Sequence, residues 1–283
     1  MVMISKFNQK IFNAVRNTAK KKLSKQSIDY RLLENQYFYR FSSKNKLKSL
    51  KDKFKGHRCF IVGNGPSLNK NDLSLIQNEK SFAVNGIFYK TKEMGYKPTF
   101  YVVEDYHVMH DNLDEINAFE AEYRFFPKNY KHLLKGKSDN TVFFNMNTGY
   151  YQETSPNFGI PRFSTDCSRK IYCGHSVTII NLQLAYYLGF SEVYLIGMDF
   201  SYDIPDNASY DEGVIVSNSD DDNHFHPDYF GKGKKWHDPQ LNKVLNSYKL
   251  AKLAYESNGR KIYNATVGGK LEVFERVEYK SLF

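Results

Sequence analysis

Residues 58–68, RCFIVGNGPSL, decide the fold. A short apolar run, Cys59–Val62, breaks into a turn made of Gly63, Asn64, Gly65 and Pro66, and Ser67 stands where it can cap a following helix. The same texture recurs downstream. Phe82–Val84 ends at Asn85 and Gly86, Thr99–Val103 at Glu104 and Asp105, and Val193–Ile196 at Gly197, Met198 and Asp199. Thr141–Phe144 and Lys261–Tyr263 read as two further strands. Residues 176–188 carry helical periodicity with Gly189 as the stop, and 241–257 form a last helix.

Strands alternating with helices predict an α/β fold: a Rossmann-like, mostly parallel sheet with helices on both faces. The polar stretch 201–239, rich in Asp, Asn, Gly and His, is too long for an ordinary connection and reads as a lid over the carboxyl ends of the strands. In such a sheet, ligands bind at those carboxyl ends. Here the ends carry Gly63–Ser67, Asn85, Glu104, Asp105 and Asp199, where a structural loop needs only turn residues. Backbone amides at the start of a helix after Gly63–Ser67 would attract a phosphate. The loop matches neither the dinucleotide fingerprint nor the P-loop.

Charge divides the chain unevenly. Residues 1–56 hold 15 Lys/Arg against 3 Asp/Glu, a balance of +12, and the remaining residues hold 25 against 28, a balance of −3. This sets a basic helical N-terminal extension, 1–56, apart from a catalytic domain, 57–283. A near-neutral body argues against nucleic acid as a partner. Within the extension, Ile4, Phe7, Ile11, Ala14, Val15 and Thr18 fall on one helical face with Lys6, Lys10, Arg16 and Lys20 mostly elsewhere. Such a helix either meets an anionic membrane surface through residues 1–25 or packs on the body or a second subunit of a homo-oligomer. No run is long and apolar enough to span a bilayer or to form a signal peptide, so the expected location is cytoplasmic, peripheral on the inner membrane face. Cys59, Cys167 and Cys173 make no paired framework, as reduced thiols would not.

The segments IVGNGPSL (61–68), FAVNGIFY (82–89), 174–200 and NATVGGKLEVF (264–274) resemble the Campylobacter-type sialyltransferases of glycosyltransferase family 42. They are closer still to a wider family of flagellin-modifying proteins, capsule-cluster proteins and archaeal pterin diphosphokinases. The resemblance implies one domain with a lid that binds a CMP-activated sugar, of the sialic acid or Kdo kind, and transfers it with inversion to a glycan or lipid-linked acceptor without a metal cofactor. It implies that Asn64 and Gly65 contact phosphate and ribose, that Asn85 lies near the sugar phosphate, that Ser176 and Thr178 sit by the donor, and that Asp199 lies under base or ribose. Tyr202 and Tyr210 would hold the leaving phosphate. Glu104-Asp105 stands where those transferases have Asn-Pro.

An inverting transfer needs a base for the acceptor hydroxyl, and the resemblance looks for a lid histidine. His237 is the first candidate and His226 the second. His237-Asp238-Pro239 also reads as a helix cap, and His224 with His226 as a surface pair. Lys232, Lys234 and Lys235 could neutralise the departing phosphate. Two other functions fit the residues: a pterin-type pyrophosphokinase with Mg²⁺ on Glu104, Asp105 and Asp199, or a non-catalytic nucleotide-binding module. Deleting residues 1–20 is expected to leave a folded protein that no longer floats with anionic vesicles, and the binding it removes should weaken as salt rises.

Overall fold

The computed structural model describes residues 46–89, 91, 93–135, 139–202, 209–211, 214–217 and 220–283. The amphipathic segment expected over 4–18 lies outside the described residues. The chain forms β1 (Arg58–Val62), β2 (Ser81–Val84), β3 (Phe100–Val102), α1 (Tyr106–Asp111), α2 (Leu113–Ala118), β4 (Tyr123–Pro127) and β5 (Thr141–Phe144). There follow β6 (Met146–Asn147), β7 (Ile171–Tyr172), α3 (Val177–Leu188) and β8 (Glu192–Ile196). The last part holds β9 (Ser209–Asp211), β10 (Val214–Val216), β11 (Lys235–His237), α4 (Leu241–Glu256), β12 (Lys261–Asn264) and β13 (Glu275–Arg276).

Eight strands build one sheet in the order β13-β12-β8-β1-β2-β3-β4-β5, with every neighbouring pair parallel. The α/β, Rossmann-like reading therefore holds, with helices on both faces. Side chains alternate across β1: Cys59 and Ile61 join the core cluster that includes α3, while Phe60 stacks on Tyr194 and Phe283 and meets Tyr279 edge-on. Two strands of the sheet go beyond the expected set, β4 and β13. In β4, Arg124 is a charge inside an otherwise apolar run and Pro127 ends it, so YRFFP lacks the look of a buried strand. Burial of Arg124 is tolerated because its guanidinium donates to Ile116 O at 2.6 Å, at the end of α2.

α3 is buried on every side and its ends are capped as expected. Ser176 accepts from Thr178 N, and Gly189 takes a left-handed φ of 97°. A side chain at Gly189 would also meet Asp52 Cα at 2.9 Å. That close approach shows why the domain boundary does not fall at 56. The compact body runs from Lys46 to Phe283, and Leu47, Leu50 and Phe54 lie in its core. Asp52 N and Phe54 N donate to Tyr187 O and Leu188 O, at 3.1 and 2.8 Å. The Phe54 ring stacks on Phe190 with centroids 5.1 Å apart.

The expected lid is a structured element. β9, β10 and β11 form an antiparallel three-stranded sheet in the order β11-β10-β9. Ile215, Phe225, Tyr229 and Trp236 are buried within this region. Among the described residues no helix is long and apolar enough to cross a membrane.

Phe190 is fully buried and touches Phe54, Phe82 and Phe100, so it joins the 46–56 segment to the sheet. Phe190→Ala is expected to lower stability by about 3–5 kcal/mol, read as a lower urea midpoint at unchanged slope.

Candidate functional site

The sheet reverses its winding between β1 and β8, since β2 to β5 extend from one side of β1 and β8, β12 and β13 from the other. A crevice opens at the carboxyl ends of strands at such a point. Here it is a cavity of about 530 Å³. Of the residues expected to form the site, Gly63, Asn64, Gly65, Asn85, Glu104, Asp105, Ser176, Thr178, Asp199, Tyr202 and His237 line it.

The turn after β1 does a different task from the one expected of it. Gly63 N donates to Ile196 O at 2.8 Å and Gly65 N to Gly197 O at 3.0 Å. The Asp199 carboxylate accepts from Ser67 N at 3.3 Å and from Ser67 Oγ at 2.7 Å. A side chain on Gly65 would overlap Asp199 Oδ2 at 1.9 Å. The glycines are thus required by the contact between two turns, and these three amides already hold protein oxygens. Ser67 is buried, caps no helix and lies outside the cavity wall, and the Pro66–Lys70 turn that follows is a single short 3-10 helix. This corrects the expectation of an amide cradle for phosphate at Gly63–Ser67.

Asn64 Nδ2 donates to Val84 O and to Tyr229 OH, both at 3.0 Å, while its buried Oδ1 has no partner. Asn85 sits at φ 45°, a left-handed conformation that Asn tolerates better than most residues. Its Oδ1 accepts from Glu104 N at 3.3 Å and its carbonyl from Tyr101 OH at 2.7 Å. Asp105 accepts from Val108 N at 2.8 Å and so caps α1. Glu104 accepts from Tyr151 OH at 3.2 Å. Burial, with Asp105 beside it, pushes the Glu104 carboxyl up to about 7.

The N-terminus of α3 opens into the cavity through Ser176, Val177 and Thr178. His175 precedes it at φ 60° and donates its backbone N–H to Tyr151 OH at 3.3 Å. Its Nε2 is buried without a partner. Burial, reinforced by the positive charge of Lys243 and by His237, lowers the His175 ring to about 4. The imidazole is therefore neutral at pH 7.

The lid closes the far wall with Tyr202, His224, Tyr229, Phe230, Trp236 and His237. His237 lies on β11, exposed, with its ring 4.8 Å from that of His107. His224 is nearly buried, its Nδ1 2.7 Å from Asp221 Oδ2, and its ring stacks on Tyr229 at 4.1 Å and 6°. His226 turns away: it stacks on Tyr89 at 5.0 Å, accepts from Asp228 N, and takes no part in the wall. The structure thus does not bring it together with His237 in the wall. Tyr210 lies on β9 opposite Ile215. Among the described lining residues none is Lys or Arg. Lys234 instead binds Tyr89 OH and Asp228 O, and Lys232 and Lys235 stay outside the wall, which corrects their expected role beside the phosphate.

A family model described as 6-hydroxymethylpterin diphosphokinase MptE-like matches residues 30–205. The chain belongs to the MptE-like family. The match takes in the strand ends that carry Asn64, Asn85, Glu104, Asp105, Ser176 and Asp199 and stops where the lid begins. No curated protein matches the sequence. Among solved structures the chain is similar to the MAf glycosyltransferase from Magnetospirillum magneticum AMB-1, at 14% identity and a TM-score of 0.47, over 87% of this chain and 39% of that one. The chain thus spans well under half the length of that neighbour.

Three features of this MptE-like site lie beyond the sequence reading: His175, the Asp221–His224 pair and Tyr229. The first had a signal, since a histidine directly before the Ser176 cap stands at a helix N-terminus. The pair had only an i, i+3 spacing in a polar loop, which surface residues share.

Glu104 gives a pH test. An exposed glutamate ionises near 4.5, and in the folded chain this one holds its proton up to about 7. Its ionisation therefore opposes folding, and the stability present below 4.5 is lost as pH rises toward 7. Glu104→Gln cannot ionise. In thermal melts its advantage over the wild type should grow across that window and level off above it.

Proposed function

We propose that the chain is an inverting glycosyltransferase that moves a sugar from a CMP-linked donor to a hydroxyl of a glycan or lipid-linked acceptor. The observation that carries this reading is the charge of the cavity. Among the described residues its wall has aromatic surfaces and hydrogen-bonding groups but no lysine or arginine, and α3 turns the positive end of its dipole toward it. Such a wall suits a donor with one phosphodiester better than a nucleoside di- or triphosphate. Its carboxylates are already engaged: Asp199 by Ser67, Asp105 by the α1 amide, Asp238 by Gln240 N, and Glu104 by burial that favours its neutral form. A phosphate at Ser176 and Thr178 would then meet little repulsion, with base or ribose toward Asn64 and the sugar toward Asn85 and Tyr202. A sialic acid- or Kdo-like sugar fits the resemblance best, and a basic N-terminal segment fits an acceptor borne on the inner membrane face.

The family description favours a second reading, pyrophosphoryl transfer from ATP to a pterin. Glu104 and Asp105 would hold Mg²⁺ there with the help of phosphate oxygens, and the metal would supply the countercharge that the wall lacks. Among the described residues no three His, Cys, Asp or Glu side chains converge as a metal set by themselves.

A thermal-shift panel separates the two. CMP without metal is expected to stabilise the protein, by about 2.7 kcal/mol at a hundred times its Kd. Stabilisation by ATP with Mg²⁺ and indifference to CMP would support the pterin reading instead.

A further inference from the structure

Seven proton-accepting side chains line the cavity: Glu104, His175, His224 and His237, together with Asp105, Asp199 and Asp238, which accept from Val108 N, Ser67 Oγ and Gln240 N. They differ in how they are held. His237 is exposed and its nearest ring is another histidine, His107. Asp238 beside it is committed to Gln240 N at 3.0 Å. His175 is lowered by burial to about 4, which makes it a weak base. Glu104 is tied to Tyr151.

His224 alone is paired with a buried carboxylate. Its side chain and that of Asp221 are 8% and 4% exposed. Asp221 is itself fixed by the loop around it: Oδ2 accepts from Phe230 N and Oδ1 from Asn223 N, both at 2.9 Å, and Asp221 N donates to Pro227 O. Burial opposes the Asp221 charge, but the bonds from His224, Phe230 and Asn223 outweigh it and hold the carboxyl below its usual range. With an ionised carboxylate on Nδ1, the proton of the neutral ring belongs on Nδ1 and Nε2 carries the lone pair. The ring cannot swing, because Tyr229 covers one face, with Tyr202 and Phe230 edge-on to it. Tyr229 is anchored in turn by Asn64 Nδ2 at 3.0 Å, which ties the pair to the turn after β1.

Resting on the transferase reading, we propose that Asp221 and His224 form the general-base dyad of the reaction. His224 Nε2 takes the proton of the attacking hydroxyl as its oxygen bonds to the anomeric carbon. The bond from that carbon to the phosphate oxygen breaks, and its electron pair leaves with CMP. Asp221 stabilises the imidazolium, which afterwards returns the proton to solvent.

The test uses the full chain and CMP-N-acetylneuraminic acid, with water as the acceptor and CMP release as the readout. Asp221→Asn keeps the shape of the loop but favours the wrong tautomer, and His224→Gln removes the base. Both are expected to slow release about 10²- to 10⁴-fold while the thermal shift with CMP stays that of the wild type. Unchanged release from both variants, with CMP binding intact, overturns the dyad and leaves the transferase reading standing. Loss of CMP binding at full turnover under saturation assigns the pair to donor binding, and so also overturns it. A wild-type protein that neither binds CMP nor releases it removes the transferase reading itself. Should either variant fail to fold, nitrogen NMR on wild-type protein decides: a neutral His224 ring with its proton on Nδ1 supports the dyad, and one with its proton on Nε2 overturns it.

Discussion

Asp199 reaches from the end of β8 into the turn after β1, where its carboxylate accepts from Ser67 N and Oγ. A charged acceptor bonded this way contributes about 1.5–3 kcal/mol, and stripping its donors would leave a part-buried charge unmet. The same residue supports a third segment, because its carbonyl accepts from Lys270 N at 2.7 Å. Gly269, at φ 72°, passes so close that a side chain there would stand 2.8 Å from that carbonyl. Neighbouring Met198 N donates to Thr266 Oγ1 at 3.1 Å. Three turns from distant parts of the chain thus meet on residues 198–199, at the place where the sheet reverses. The floor of the cavity is fixed before any ligand arrives.

This constraint explains the electrostatics above it. Once Ile196 O, Gly197 O and the Asp199 carboxylate occupy the amides of Gly63, Gly65 and Ser67, an anion must look elsewhere, and α3 begins at the cavity wall. Ser176 and the amides of the first turn of α3 lie in the wall, preceded by a histidine lowered by burial and by its positive neighbours. Glu104 is shifted the opposite way for the same physical reason, since burial disfavours whichever form is charged. Both groups are driven toward neutrality near pH 7. A wall whose described residues include no Lys or Arg, with its acids engaged or neutral, suits weakly charged or uncharged ligand groups.

The strands at the centre of the sheet were legible because parallel strands buried on both faces read as continuous apolar runs. Thr141–Phe144 is seen at its observed bounds, and the other runs agree to within a residue or two. β4 was not legible, because its charge is balanced by the carbonyl of Ile116, a partner that only the fold supplies. Strand ends gave the polar residues of the wall correctly, since position at a carboxyl end is a property of topology. Which of them is free to meet a ligand is not. Ser67 and Asp199 look equally available in sequence and turn out to be bonded to each other. Within the lid, His224 and His226 are two residues apart and meet opposite fates, one in the wall and one stacked on Tyr89, because the bends and turns over 222–230 break the alternation that would put both on one face of a strand.

The lid is bound to the floor by more than proximity. Phe225 N donates to Asn64 O at 2.8 Å, Asn69 Nδ2 to Phe225 O at 3.0 Å, and Asn64 Nδ2 to Tyr229 OH. Each bond is worth about 0.5–1.5 kcal/mol, so releasing this corner would cost a few kcal/mol before the burial of Phe225 and Tyr229 is counted. Gly86 completes the fit, since a side chain there would stand 2.7 Å from the Tyr229 ring. His237, by contrast, stands exposed on β11. The His224 ring thus belongs to the fixed part of the wall and His237 to its exposed rim. A group that must meet a hydroxyl at one defined angle is better placed on the former.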